Sequence, residues 1–130
     1  MIVVDTSALV AVALEEPDRD PIMQTLLSSD RTLISAFNYV EIGVVLISRG
    51  RLEDRAQLDA WLAELGVAIH SNPEDRAKAL DAYLRFGKGR HPARLNLADC
   101  FAYALAKQLD APLLYKGDDF PLTDVRSALD

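Results

Sequence analysis

The chain has 130 residues, 50 % of them apolar and 26 % charged, which suits one soluble domain whose core needs neither disulfides nor a structural metal. Its single cysteine, Cys100, excludes an internal disulfide and fits a reducing cytoplasm, and the apolar opening is too short to span a bilayer and lacks a basic leader. The net charge of −6 excludes nucleic-acid binding through a broadly basic surface, but not a nuclease, because a site built from carboxylates is acidic by construction.

The β-branched run at residues 2–4 reads as a buried strand, followed at once by the helix-starting residues Asp5, Thr6 and Ser7. A helix reaches about residue 14. Pro17 and Pro21 bracket the next turn, and Pro21 suits the first turn of a second helix with Ile22, Met23, Leu26 and Leu27 inward. Residues 32–35 read as a second strand. Ser35 or Asn38 caps a helix to residue 49, stopped by Gly50.

Residues 51–65 carry Leu52, Leu58, Trp61, Leu62 and Leu65 at helical spacing, and a third strand follows over residues 67–70. The next helix spans residues 73–86, with Ala77, Leu80 and Leu84 inward, and a loop covers residues 87–93. Asn96 starts a helix through residue 109 with Leu97, Phe101, Leu105 and Leu109 as its stripe. Residues 112–115 form a fourth strand, and a short fifth near Val125 is compatible with the pattern. Strands separated by helices imply crossovers, hence an α/β fold: a central, mostly parallel sheet of four to five strands with helices on both faces. No linker or repeat divides the chain, so residues 1–130 are expected to form one domain.

Ligands in such sheets bind at the carboxyl ends of the strands, where Asp5 and the pair Asp118 and Asp119 fall. Asp5 also reads as a helix cap. Glu41 interrupts a segment apolar on nearly every side and needs a partner if buried. A capping box from Asn38 would account for it, but Ser35 is the better cap and leaves Glu41 in the second turn. Asp99 is likewise either a partner of Asn96 at a helix start or a site acid beside the small residues Ala102 and Ala106. Asp118 and Asp119 singly look like turn acids. Carboxylates gathered together raise one another's pKa unless a cation sits among them. Hard oxygen donors without a cysteine or histidine cluster point to magnesium, with manganese as substitute. His70 and His91 have no local signature of catalytic bases, and no phosphate-binding glycine loop is present.

These residues carry a resemblance. Ile2-Val3-Val4-Asp5-Thr6-Ser7-Ala8-Leu9, Glu41 after a strand ending at Ser35, Leu95-Asn96-Leu97-Ala98-Asp99-Cys100 and Lys116-Gly117-Asp118-Asp119-Phe120 with Thr123-Asp124-Val125 occur in the order and spacing of PIN-domain ribonucleases. The chain resembles above all the VapC toxins of toxin–antitoxin pairs, over essentially its whole length. The resemblance implies a PIN-like fold, magnesium-dependent endonucleolytic cleavage of RNA, a homodimer, and a VapB-like antitoxin through which alone DNA would be met. Residue by residue it makes Asp5, Glu41 and Asp99 the first three metal-binding acids and Asp118 the fourth. Asp119 and Ser7 are left as supporting residues. On residues 85–94, a run of cations without an acid, Lys88, Arg90 and Arg94 are the candidates for RNA phosphate contact. A magnesium-binding signalling module would explain the fold and Asp5, but not Glu41 and Asp99 inside apolar helices. A related deoxyribonuclease has the same ligands.

Overall fold

The computed structural model describes residues 1–129. Strands β1 (Ile2–Val4), β2 (Thr32–Ser35), β3 (Val67–His70) and β4 (Leu113–Leu114) form one sheet in the order β3-β2-β1-β4, all neighbours parallel. Helices α1 (Thr6–Ala13), α2 (Arg19–Ser28), α3 (Ala36–Ser48), α4 (Arg55–Glu64), α5 (Asp75–Phe86) and α6 (Leu97–Gln108) make the connections, and a 3-10 turn, Phe120–Leu122, follows β4. The chain starts at β1, moves outward to β3, then crosses back to β4 on the other side of β1. The order therefore reverses between β1 and β4, the place where open parallel sheets bind ligands.

Alternation along the strands sends side chains to opposite faces. Ile2, Val4, Ile34 and Leu114 enter a core shared with Leu9, Ile22, Ile42 and Leu46 from α1 to α3. Val3 and Leu113 enter a second core with Phe86, Ala102 and Leu105 from α5 and α6. Helices thus cover both faces, as the apolar pattern requires.

Several details depart from the sequence expectation. Leu27 points outward while Ile22 and Leu26 are buried, so the inner stripe of α2 is narrower than four residues. The helix expected from residue 51 begins at Arg55, because Asp54 caps it by accepting from the Gln57 N–H. On α5 the expected face is reversed: Leu80 and Leu84 are 59 % and 50 % exposed, and Ala79, Ala82 and Phe86 are buried instead. Small residues there let α5 close onto the alanine-rich α6, an advantage that outweighs burying two leucines. Leu97 is exposed rather than part of the α6 stripe. Near Val125 there is only a single bridge, between Leu113 and Ser127, so among the described residues the sheet stops at four strands.

Candidate active site

Asp5 follows β1 immediately and is 3 % exposed. Its backbone is extended, and its Oδ2 accepts the Ser7 N–H at 3.0 Å and the Ser7 hydroxyl at 2.6 Å, capping α1. Ser7 Oγ in turn accepts the Lys116 N–H at 3.0 Å just beyond β4, pinning the two strand ends across the reversal point. The other oxygen, Oδ1, is buried without any hydrogen-bond partner among the described residues. Burial pushes the Asp5 carboxyl from its ordinary 3.8 up to about 7. Ser7 opposes that rise, while the charges of Asp99 and Glu41 reinforce it.

Asp99 likewise gives one oxygen to a helix start, though its other oxygen is not buried. Oδ2 accepts the Asn96 N–H at 3.0 Å while Asn96 Oδ1 accepts the Asp99 N–H at 2.8 Å, a capping box that starts α6. The two local readings of Asp99, cap and site acid, are therefore compatible. Burial raises its carboxyl to about 6 against the pull of the Asn96 bond, with Asp119 and Glu41 adding their charge. Glu41 has no capping role: Ser35 caps α3, accepting the Asn38 N–H at 3.0 Å. It lies in the second turn, partly exposed, where its charge reaches both aspartates.

Of the adjacent pair after β4, Asp119 is the one whose charge reaches Asp99, whereas the sequence favoured Asp118. Gly117 at φ +113° turns the chain there, and buried Phe120 anchors the 3-10 turn that Asp119 precedes. Asp99 and Glu41 thus act on Asp5, and Asp119 and Glu41 on Asp99, with Ser7 holding Asp5.

Sequence reasoning missed the hub behind them. Asn38 is fully buried; it accepts from the Ser35 hydroxyl and donates through Nδ2 to Thr6 Oγ1 at 3.0 Å and to the Ala98 carbonyl at 3.3 Å. One amide therefore ties the starts of α1, α3 and α6, the helices that carry Asp5, Glu41 and Asp99. An asparagine three residues after a serine cap, in an otherwise apolar helix, was the available signal.

The cation-rich segment is partly committed elsewhere. Arg85 lies on α5, 3.5 Å from Asp124, and Arg90 donates from Nε to the Leu84 carbonyl at 3.0 Å. Lys88 and Arg94 are exposed, and Arg94 adopts φ +55°. Burial pushes the Cys100 thiol up to about 11, as for an unreactive core residue.

The acids suit a hard divalent cation on three observations: a buried oxygen on Asp5 with no partner among the described residues, two carboxyls held above their ordinary range by burial and by neighbouring acids, and a donor set made only of oxygen. Among the described residues, no three histidine, cysteine, aspartate or glutamate side chains are placed so that together they could hold a metal ion. Magnesium keeps several waters and uses only one or two protein carboxylates, so it does not require such a group.

A parallel α/β sheet with this acid cluster at its reversal point defines a class that the comparisons identify. The family model described as PIN domain matches residues 2–125, and the chain belongs to that family. Within it, the similarity is to VapC ribonucleases. The chain is 44 % identical over 124 residues to Ribonuclease VapC of Mycolicibacterium smegmatis, covering 95 % of this chain and 96 % of that one. It is 42 % identical over 126 residues to Ribonuclease VapC30 of Mycobacterium tuberculosis, covering 95 % of each. The crystal structure of Mycobacterium tuberculosis VapC20, described as a sarcin-ricin loop cleaving toxin, shares the fold. Its TM-score is 0.71 over 97 % of this chain and 99 % of that one, at 18 % identity.

Proposed function

We propose that this protein is a magnesium-dependent endoribonuclease and the toxin of a type II toxin–antitoxin pair. The observation that carries the reading is the shared division of labour at Asp5 and Asp99. Each gives one oxygen to a helix start and leaves the other without a protein hydrogen bond among the described residues, beside further acids. Asp5, Asp99, Glu41 and Asp119 are the residues that would hold the ion, with manganese as substitute. A divalent ion in such a site lowers the pKa of an attacking water and offsets charge on the phosphoryl group. Ser7 keeps the Asp5 carboxylate oriented, and the buried walls of α1 and α6 limit water around it. Asp118 becomes the turn residue.

Partners follow from the surface. Val40, Val44 and Ile47, one stripe at i, i+4 and i+7 on α3, are all exposed. That face is available to a second copy or an antitoxin, and the VapC likeness supports a homodimer and an antitoxin partner in the cytoplasm, with DNA met only through the antitoxin. No helix among the described residues is long and apolar enough to cross a membrane.

The test is cleavage of end-labelled RNA by the purified chain, free of partner. Cleavage requires magnesium or manganese, stops with EDTA and returns on adding metal back; undiminished cleavage in excess EDTA overturns the metal mechanism. Asp119→Asn abolishes cleavage while Asp118→Asn retains most of it, and the reverse order returns the fourth position to Asp118. A monomer by light scattering at micromolar concentration counts against the dimer.

A further inference from the structure

An acidic nuclease must grip an acidic polymer, and on this chain charge alone is a poor means. The net charge is −6, and Arg85 and Arg90 of the cationic segment are engaged by Asp124 and the Leu84 carbonyl. A stacking surface does not depend on net charge, because every base has a π-face. The molecule has an aromatic pair on the two helices that carry Glu41 and Asp99. Phe37 and Phe101 stack with ring centroids 4.8 Å apart and planes 9° from parallel. Phe37 lies one turn before Glu41 on α3, hence on the same side of that helix. Phe101 lies two residues after Asp99 on α6, hence on a different side of that helix, and meets the acid side of α3 through its stack on Phe37. Asn38, next to Phe37, holds the two helix starts together through the Ala98 carbonyl.

Core packing does not account for the pair. Phe37 belongs to neither core, Phe101 only borders the second, and both rings are half-buried. Leu97, one turn before Phe101 on α6, is 58 % exposed and extends the apolar surface.

We propose that Phe37 and Phe101 form a stacking shelf for an unpaired RNA base flanking the bond to be cut, so that the substrate is single-stranded at the site. The inference rests on the ribonuclease reading above. The shelf supplies the part of binding that salt does not screen. A base held there places the adjoining phosphate among Asp5, Glu41 and Asp99, converting loose attraction into a fixed orientation.

The experiment measures binding of a fluorescein-labelled, 2′-O-methylated single-stranded RNA by anisotropy, in EDTA and over a series of salt concentrations. Variants are Phe37→Leu and Phe101→Leu, with Phe101→Trp as the aromatic rescue; circular dichroism and thermal melts establish folding. Each leucine variant is expected to bind at least about fivefold more weakly, up to about a hundredfold. The loss should be the same at every salt concentration, leaving the log–log slope unchanged, and Phe101→Trp should restore affinity. A parallel set of probes carries one abasic nucleotide at successive positions. The parent should lose affinity at one position in that set, and the leucine variants should not. Leucine variants that bind all probes like the parent overturn the shelf, as does a change in light-scattering mass with unchanged RNA affinity, which marks a protein interface instead. Failure of the parent to cleave unmodified RNA with magnesium overturns the ribonuclease reading separately.

Discussion

A carboxylate has two oxygens, and at Asp5 they face opposite demands. Oδ2 is satisfied twice by Ser7, while Oδ1 is buried with no partner, so the ionised form lacks solvation on one side. The folded pKa of about 7 lies above the ordinary 3.8, so between those values the folded chain retains a proton that the unfolded chain has released. The contribution of Asp5 to the stability of the metal-free protein is therefore intact near pH 4, falls as pH rises, and levels off above about 7, with a steepest slope of about 1.4 kcal/mol per pH unit. Asp5→Asn keeps an N-cap residue and removes the charge. Without metal at pH 7.5 it should melt higher than the parent, show a flatter pH profile, and fail to cleave RNA. Equal melting of the two proteins across that range refutes the strain. The sequence exposed Asp5 both as a cap and as a ligand. It could not show that the cap leaves the second oxygen unpaired, because the division of oxygens depends on Ser7 being pinned by the Lys116 N–H from beyond β4.

At the scale of elements, period and caps made most of the fold legible. β2 and β3 begin and end where the apolar pattern places them, and Ser35 and Asn96 cap α3 and α6 as their positions suggest. The face of α5 was not legible, because hydrophobicity favours Leu80 and Leu84 while close approach to α6 favours Ala79 and Ala82. Periodicity cannot weigh the size of an unseen partner. The same limit hid Asn38, whose partners Thr6 and Ala98 come from other helices. Replacing it by leucine leaves the buried Ser35 hydroxyl and Thr6 hydroxyl short of a partner, and each such loss costs about 1–3 kcal/mol. Asn38→Leu is thus expected to lower unfolding free energy by about 2–4 kcal/mol in urea titrations. It should also reduce cleavage beyond what the residual folded fraction explains, since α1, α3 and α6 lose their common tie. Full activity per folded molecule would make Asn38 a purely stabilising residue.

Across the whole molecule, the strand order puts Asp5 and the pair Asp118 and Asp119 beyond the carboxyl ends of the neighbouring strands β1 and β4, and the cationic segment falls at the end of α5 and on the loop to α6. The reversal between β1 and β4 is a long-range property that strand and helix patterns imply only as a class of fold. Charge on the loop is legible in the sequence, but its availability is not. Arg90 Nε is bound to the Leu84 carbonyl, which shortens its reach, whereas Lys88 and Arg94 are exposed with no salt bridge among the described residues. If the loop meets the RNA backbone, Lys88 and Arg94 should each contribute a phosphate contact and Arg90 less. Each contact to a single strand adds about 0.7 to the slope of log affinity against log salt. Lys88→Gln keeps the length of the side chain, and Arg94→Asn suits the left-handed backbone at φ +55° better than alanine. The double variant is expected to bind single-stranded RNA more weakly at low salt and to flatten the slope by about 1.4, while Arg90→Gln changes it by less than half of one contact. This signature is opposite to that of the phenylalanine variants, which shift affinity without changing slope. A double variant with the parent's slope and affinity shows that the loop is solvated and takes no part in binding.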